Sequence, residues 1–432
     1  MFTTIKNAWK VPELRSKMLF TLLCLFIFRL GSAIPVPFID STLLSGLFDT
    51  YGNTIFGFMN VMSGGAFEQA KIFALSIQPY INASIIMQLL AVAIPALERL
   101  SKEGGEEGKK KIASITRYVT IAIALLQGFA YYSLLKSGAG TGTSFIDAHG
   151  MNGTLVAISI IATFTAGSAF IMWLGEQITE HGIGNGISMI LFVSIISRVF
   201  PAAQSLVANY SNLHWYGIAA IVIVFLAVIA FIIFFDGAER RLSVQYAKRV
   251  VGRKMYGGRS THLPIKVNMS GVMPIIFASS IATFPATIAA FFPNKSGFWT
   301  WMLENVFSPN SWPYAVAYLI LIVAFSYFYT AIQFNPTEIA NNLKNNGGFL
   351  AGFRPGKPTA DFIAKVMNKI TLFGAIFLGI IAVLPILVGH LTPSVNLSIG
   401  GTSILIVVGV ALETVKQLES QLMMRNYKGF LD

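Results

Sequence analysis

The sequence predicts an all-α integral membrane protein whose chain crosses the bilayer ten times. Hydrophobic residues make up 54% of its 432 residues and charged residues only 12%. A helix needs about 20 mostly apolar residues to cross a hydrocarbon core of about 30 Å. Ten apolar runs of suitable length lie near residues 18–36, 72–94, 115–135, 153–173, 184–202, 215–235, 271–292, 313–333, 367–389 and 399–418.

The distribution of basic residues predicts how these runs are oriented. Twenty-six of the 31 Lys and Arg residues lie in the two termini and in alternate connecting segments. Loops that stay in the cytoplasm carry an excess of Lys and Arg, so we expect both termini in the cytoplasm. An even number of spans also places both termini on one side. Orientation and attraction to anionic lipid headgroups then explain the net charge of +12 better than nucleic-acid binding does.

The first apolar run contains the only cysteine of the chain and an arginine. Because Cys24 is alone, the chain can form neither an internal disulfide nor a cysteine metal site. The run is too long for a signal peptide and no small-residue cleavage site follows it, so we predict an uncleaved first span. Arg29 lies toward the outer end of this span. Its side chain can extend to the interface, and we expect a structural role for it.

Residues 50–70 form an apolar, glycine-rich segment ahead of the second span. The segment is too short to cross a membrane and is typical of a re-entrant, interfacial or buried element. Ser63, Gly64 and Gly65 provide a flexible break before the second span. Two interpretations are open at this point: a movable stopper inside a cavity, or an interfacial helix on the outer leaflet.

Branched aliphatic residues recur on one face of the second and fifth spans. Ile77, Ile81 and Ile85 are four residues apart in the second span. Ile187 and Leu191 have the same spacing in the fifth. Residues at this spacing share a helix face, and a ring of them would make a dry constriction that attracts no ions. Contact with lipid or ordinary helix packing would explain the same residues, and the spacing alone does not decide.

Two long basic segments have the composition of ordered protrusions. Residues 237–270 alternate apolar and basic positions, which predicts a hairpin. Within 334–366, Arg354 is surrounded by prolines and glycines, which favour a stiff, turned tip. Such cationic protrusions would suit docking of a ribosome, which offers phosphate, or of an acidic protein motor. The alternative is a solvated face that only orients the chain.

No catalytic constellation is found in the sequence, and we predict that the protein is not an enzyme and holds no cofactor. The five histidines are scattered without metal-ligand spacing. HExxH and GxSxG motifs are absent, and the glycine-rich turn at 182–186 lacks the lysine of a phosphate-binding loop. No span has paired acidic residues near its centre, which argues against an ion-coupled transporter.

Several stretches resemble the SecY family, the pore subunits of bacterial protein-translocation channels. The resemblance extends over the whole chain, in order and with matching loop lengths. The stretches are FALSIQPYINASI at 73–85, WLGEQITEHGIGNGIS at 173–188, STHLPIKVN at 260–268, FASS at 277–280, RPG at 354–356 and GGTSILIVV at 400–408.

The resemblance implies a fold of two pseudo-symmetric five-helix halves, 1–212 and 213–432, around an hourglass pore. A lateral gate would lie between spans two and seven, with Asn82 facing Phe284. Asn82 replaces a smaller hydroxylic residue that is common in the family. The implied pore ring is Ile77, Ile81, Ile187, Leu191, Ile276 and Ile406. The plug segment would be about residues 53–66, with Phe56, Phe58, Met59, Met62, Gly64 and Gly65.

The resemblance also implies partners and a location. The docking residues for a motor or ribosome would be Arg249, Arg253, Lys254, Arg354 and Lys357. The implied partners are SecE, SecG, the SecA motor ATPase, the ribosome, signal peptides, nascent secretory or membrane proteins, and anionic lipids. The channel would lie in the bacterial cytoplasmic membrane with both termini cytoplasmic. Two other functional classes are a secondary transporter for a small solute and a membrane scaffold without a pore.

Overall fold

A computed structural model describes residues 2–40, 44, 55–102, 104–137, 144–147, 152–208, 210–246, 249–251, 254–256, 260–289, 297, 302, 311–391 and 401–428. These residues are mostly helical. The helices are α1 (Phe2–Lys10), α2 (Pro12–Gly31), α3 (Ile55–Met62), α4 (Gln78–Ala93), α5 (Pro95–Lys102), α6 (Gly105–Ser137), α7 (Gly153–His181), α8 (Gly186–Ala208), α9 (Tyr210–Asp236), α10 (Met273–Ala289), α11 (Trp312–Gln333), α12 (Pro336–Asn345), α13 (Lys357–Leu391) and α14 (Gly401–Lys428). The strands are β1 (Glu239–Tyr246), β2 (Arg249–Val251), β3 (Lys254–Tyr256), β4 (Ser260–Lys266) and β5 (Gly348–Leu350).

Each of the ten predicted runs falls on a helix, and the chain is a multi-pass membrane protein. Five helical stretches in the described part of the chain are long and apolar enough to cross a bilayer. They are Gly105–Ser137, Gly153–His181, Gly186–Gln204, Trp312–Asn345, which comprises α11 and α12, and Lys357–Leu384. Large apolar side chains also lie exposed on the outer surface, including Ile223 at 65% and Phe234 at 77% exposure on α9. Hydrocarbon is the solvent in which such side chains are stable.

The second predicted span, 72–94, is shorter in the structure than its hydropathy indicates. Helix α4 begins only at Gln78, because Ala70 and Ser76 have positive φ angles of 43° and 51° and keep the preceding chain in turns. It ends at Ala93, because Pro95 forces the preceding Ile94 into an extended conformation. The first predicted turns of this span are therefore a packed, non-helical segment.

The helices pack in two sets, and the order of contacts is similar in both. α4 contacts α6, α6 contacts α7 and α7 contacts α8, while α2 lies against α7 and α8. In the same manner α10 contacts α11, α11 contacts α13 and α13 contacts α14, while α9 lies against α14. α9 also meets α13, where the rings of Phe235 and Phe377 stack with centroids 3.4 Å apart. The two sets meet where α10 contacts α4 and α6, and where α8 contacts α9 and α14.

The two basic loops contain the strands. β1 pairs antiparallel with β4 and, on its other edge, with β5, so that the loop after α9 and the loop after α12 share one sheet. β2 and β3 form a second antiparallel pair. Leu242, Val244, Ile265 and Leu350 bury one face of the larger sheet against Ile363 of α13. The hairpin predicted for 237–270 is confirmed.

A hydrogen bond joins the two sets of helices between α4 and α11. The Tyr329 hydroxyl donates to Gln88 Oε1 at 2.6 Å, across a sequence separation of 241 residues. Gln88 Nε2 in turn donates to Ser84 Oγ at 3.3 Å. On α11, which also carries Tyr329, the Tyr318 hydroxyl is buried and meets no hydrogen-bond partner among the described residues.

These two tyrosines make a matched pair for testing the bond. Tyr329→Phe should lower the free energy of unfolding by about 1 kcal/mol, because it leaves the Gln88 carbonyl without its donor. Tyr318→Phe should cost nothing, since it removes a hydroxyl that has lost water without gaining a partner. Unfolding in mixed detergent and SDS micelles, followed by circular dichroism, measures both. Equal losses in the two variants would contradict the assigned bond.

Candidate functional site

The six residues of the expected pore ring lie at the beginnings of four helices. Ile77 occupies the N-cap position of α4 and Ile81 lies one turn further on. Ile276 is in the first turn of α10 and Ile406 is in the second turn of α14. The remaining two, Ile187 and Leu191, follow the start of α8.

A side-chain cap determines where α8 begins. Asn185 Oδ1 accepts hydrogen bonds from the backbone N–H groups of Ile187 at 3.1 Å and Ser188 at 3.4 Å. Asn is favoured at this position because its oxygen satisfies N–H groups that have no partner within the helix. Gly184 precedes the cap with a φ of +85°, a conformation that glycine adopts without strain. The glycine-rich turn thus serves to start α8.

All six ring residues belong to one hydrophobic cluster. Ile77, Ile81, Leu191, Ile276 and Ile406 are each at most 4% exposed, and Ile187 is partly buried against them. Ile85, the third member of the repeat in α4, is buried in the same cluster. Their burial rules out the interpretation in which these residues face lipid. The cluster joins side chains from both sets of helices.

The end of the plug segment lies against this cluster. Val61 and Met62, the last two residues of α3, are each 2% exposed and belong to it. Met59 packs against a second apolar cluster, which includes Phe67 and Phe164. Burial of Asn60, Val61 and Met62 favours a buried element over a helix on the outer leaflet, and the role of a movable stopper stays a prediction. Residues 53 and 54, and the side chains of Phe56 and Phe58, lie outside the described part of the chain.

A turn follows α3, and helices α2 and α8 hold it in place. Gly64 and Gly65 have φ angles of +66° and +91°. The Gly64 carbonyl accepts from Arg29 Nη1 at 3.2 Å and from Ser197 Oγ at 3.4 Å. A Cβ atom at Gly64 would lie 2.9 Å from Ser197 Oγ. The turn therefore requires glycine for both its conformation and its space.

Sequence reasoning missed a polar cluster beside this turn. Glu68 Oε2 accepts from Asn60 Nδ2 at 2.7 Å and lies 3.4 Å from Arg198 Nη2. The Glu68 backbone N–H donates to Asn60 Oδ1 at 3.1 Å. The sequence offered one signal for this cluster, which is the presence of two oppositely charged residues, Glu68 and Arg198, at or next to predicted spans. Their separation of 130 residues left the pairing out of reach of sequence patterns.

The structure tests the expected lateral gate only in part. α4 and α10 are in contact, as a gate between spans two and seven requires. Asn82 is partly exposed on α4. Phe284 lies within α10, but its side chain is outside the described part of the structure. The expectation that Asn82 and Phe284 face one another stays a prediction.

The expected docking residues lie on the sheet-bearing loops. Arg354 and Lys357 are exposed, on a turn that is braced by stacked rings of Phe353 and Phe362 with centroids 4.0 Å apart. The Thr359 hydroxyl donates to the Arg354 carbonyl at 2.7 Å and closes this turn. Two further docking residues, Arg249 and Lys254, belong to the smaller sheet.

Arg249 belongs to β2, where its backbone pairs with that of Tyr256, and Lys254 belongs to β3. Their side chains, and the whole of Arg253, lie outside the described residues. The turn predicted around Arg354 is confirmed. The docking roles of all five residues remain predictions.

Known proteins are similar to this chain in sequence and in fold. Residues 71–415 match the SecY family model. The protein translocase subunit SecY of Streptomyces scabiei is 44% identical over 442 residues, with 100% of both chains covered. A solved SecY structure, concerned with a plug domain that stabilises the closed state of the translocation channel, has a TM-score of 0.65 at 18% identity and 96% coverage of each chain. Sec61 in the canine ribosome–channel complex from the endoplasmic reticulum has a TM-score of 0.61 at 17% identity, again with 96% of each chain covered. The chain therefore belongs to the SecY family of protein translocase subunits.

Proposed function

We propose that this chain forms the pore of a secretion channel in the cytoplasmic membrane of a bacterium. It moves unfolded polypeptides outward and releases apolar segments sideways into lipid. The observation that supports this best is the meeting of six branched aliphatic residues, from the starts of four helices, in one buried cluster. Two of these helices come from the first set and two from the second, so the cluster joins the two sets of helices.

The proposed architecture is two five-helix halves, 1–212 and 213–432. The repeated pattern of helix contacts supports it. The second, third, fourth and fifth long helices of each set contact one another in order, and the first packs against the fifth. Two sets that meet along few helices can separate without either losing its own packing, which is how hinged domains move.

The aliphatic ring gives the proposed channel its selectivity. An ion that enters a ring without charges or hydrogen-bond partners loses its hydration and gains nothing in return. A polypeptide can pass because flexible aliphatic side chains conform to whatever they surround. The plug segment closes the same path from one side, since Val61 and Met62 pack into the cluster that contains the ring.

The lateral gate would act as a choice between two solvents. An apolar segment of a substrate that wedges between α4 and α10 meets lipid, and it leaves the pore because hydrocarbon is its preferred environment. A polar segment continues past the ring. Asn82 and Phe284 are the proposed facing residues of this gate.

Energy and direction come from partners in this proposal. The sheet-bearing loops, with Arg249, Arg253, Lys254, Arg354 and Lys357, face the cytoplasm and receive a SecA motor or a ribosome. The canine Sec61 relative, which is described in a ribosome–channel complex, supports the ribosome as a partner. SecE, SecG and anionic lipids complete the proposed assembly, with both termini of the chain in the cytoplasm.

Polar substitutions in the ring test the channel directly. Ile81→Asn and Ile406→Asn should each raise the ion leak of the resting channel severalfold, because an amide lets water enter the constriction. The same variants should export reporters with defective signal sequences. The measurements are conductance in planar bilayers and secretion of such a reporter.

The control for the ring variants is Ile320→Asn, at a position that is 60% exposed on α11. It introduces the same amide on the outer surface and should change neither measurement. Ring variants that export only normal substrates, with a leak equal to that of the control, would show that the ring is wrongly assigned.

Charge reversal at the tip tests docking. Arg354→Glu should slow motor-driven transport by about tenfold or more, because it replaces an attraction at the partner's surface by a repulsion. ATP-driven uptake of a preprotein into inverted vesicles measures this rate. Lys344→Glu, which reverses an exposed charge on α12, is the control and should keep most of the rate. Equal losses of transport rate in the two variants would mean that docking depends on the net charge of the loop and not on the position of Arg354.

A further inference from the structure

We propose that Glu68 is a positioning residue that holds the plug segment closed, by coupling it to Arg198 of α8. The proposal rests on the proposed channel function and adds a named device for keeping that channel shut. The device, called the latch below, consists of Asn60, Glu68 and Arg198.

The first step of the argument is that Glu68 is fixed to the plug segment. Asn60, in α3, is 4% exposed, and its amide meets Glu68 at two points. Its Nδ2 donates to the Glu68 carboxylate at 2.7 Å, and its Oδ1 accepts from the Glu68 backbone N–H at 3.1 Å. Two hydrogen bonds from one amide define both distance and direction. The carboxylate and the end of α3 therefore move together.

The second step is that the same carboxylate oxygen is bound from outside the segment. Arg198 Nη2 lies 3.4 Å from Glu68 Oε2, the atom that also accepts from Asn60. Arg198 is on α8, which contributes Ile187 and Leu191 to the ring. One oxygen thus links the plug segment to a helix of the proposed pore wall.

The third step concerns the strength of this link. Both side chains of the ion pair are only 22% exposed, so salt screens their attraction less than it would at an open surface. Hydrogen bonds to charged groups contribute more than neutral ones. Arg29 and Ser197 add donors to the neighbouring Gly64 carbonyl. The Arg29 bond joins a charged donor to a neutral carbonyl, whereas the contact between Glu68 and Arg198 joins two charged groups.

The fourth step is that the link belongs to the closed state. If the plug segment leaves the cluster, Asn60 and Glu68 leave with it, and Arg198 stays on α8. Because Arg198 lies in the outer half of its predicted span and both side chains of the pair are already 22% exposed, water can solvate the separated charges. The link can therefore break and re-form during each transport cycle.

Neutral variants of the latch provide the test, in the complete channel complex reconstituted into liposomes. Glu68→Gln and Arg198→Gln should each raise the resting ion leak about tenfold, the loss expected for a hydrogen bond to a charged group. The charge-exchanged double variant Glu68→Arg with Arg198→Glu should recover most of the closed state. Arg198→Lys, which keeps the charge, should leak less than Arg198→Gln.

A matched control uses another ion pair of the same chain. Glu106 and Lys109 lie 3.2 Å apart on α6, with side-chain exposures of 82% and 69%. Glu106→Gln removes the same charge away from the turn and should leave the leak unchanged. Thermal unfolding of every complex separates a loosened plug from a damaged fold. A folding defect would lower the midpoint, and the charge exchange would not repair the leak.

The outcomes distinguish the latch from the channel proposal beneath it. If wild-type complex neither leaks nor transports a preprotein under any condition, the channel function is wrong and the latch falls with it. If wild type transports but Glu68→Gln leaks no more than Glu106→Gln, only the latch is wrong. A charge-exchanged variant as leaky as the single variants would also overturn it. If those variants unfold before they can be measured, equal leaks from Arg198→Lys and wild type support the latch, and a tenfold leak from Arg198→Lys refutes it.

Discussion

The structure depends on one constraint: hydrocarbon offers no partner to a backbone polar group, so every break in a helix at membrane depth must be covered and hydrogen-bonded by protein. Two breaks matter most here. One follows α3, where the Gly64 carbonyl is bound by Arg29 and Ser197. The other precedes α8, where the Ile183 N–H donates to Thr21 Oγ1 at 3.0 Å and the Gly186 N–H donates to Thr179 Oγ1 at 2.9 Å. The second break lies directly before α8, and the turns that follow the first lead to the start of α4 at Gln78. The aliphatic residues at those beginnings lie in the main apolar cluster, together with Ile276 and Ile406 from the starts of α10 and α14.

Much of this arrangement could be predicted from the sequence, and the reason is the solvent. Long apolar runs predict helices because a helix in lipid forms all of its backbone hydrogen bonds internally. Alternation of basic and apolar residues was enough to predict the β1–β4 hairpin. The repeat of Ile77, Ile81 and Ile85 identified a face but not what it faces. Ile276 and Ile406 were expected only from the family resemblance, because no local pattern distinguishes them from other apolar residues. Hydropathy also missed the true start of α4, since Ala70 and Ser76 are ordinary residues and no local pattern predicts their positive φ angles.

The plug segment combines two kinds of interaction with different physical properties. Its apolar contacts, through Val61 and Met62, are non-directional and scale with the area removed from water. They would hold a shifted or rotated segment almost as well. Its polar contacts, through Asn60 and Gly64, are directional and are lost within a small displacement. In the proposed closed state, the apolar cluster would supply the tightness of the seal, and the polar contacts would restrict the segment to a single position. A substitution can change the apolar contacts while keeping the polar ones, or the reverse. Glu68 belongs to the polar, directional contacts.

The contacts between the two sets of helices are unequal, and this inequality gives the proposed opening a direction. Where α8 meets α9 and α14, the terminal helix α1 reinforces the junction. Thr4 donates to Glu419 Oε1 at 3.0 Å, and Ala8, Leu14, Ile183 and Leu418 form a separate buried cluster. Where α10 and α11 meet α4, the described residues contribute the Tyr329–Gln88 hydrogen bond and part of the main apolar cluster. Both junctions share the main apolar cluster, and the first has the separate cluster around α1 in addition. In the proposed channel, this inequality would favour a hinge on the side of α1 and α14 and an opening between α4 and α10, because the junction with more contacts would remain closed while the other separates.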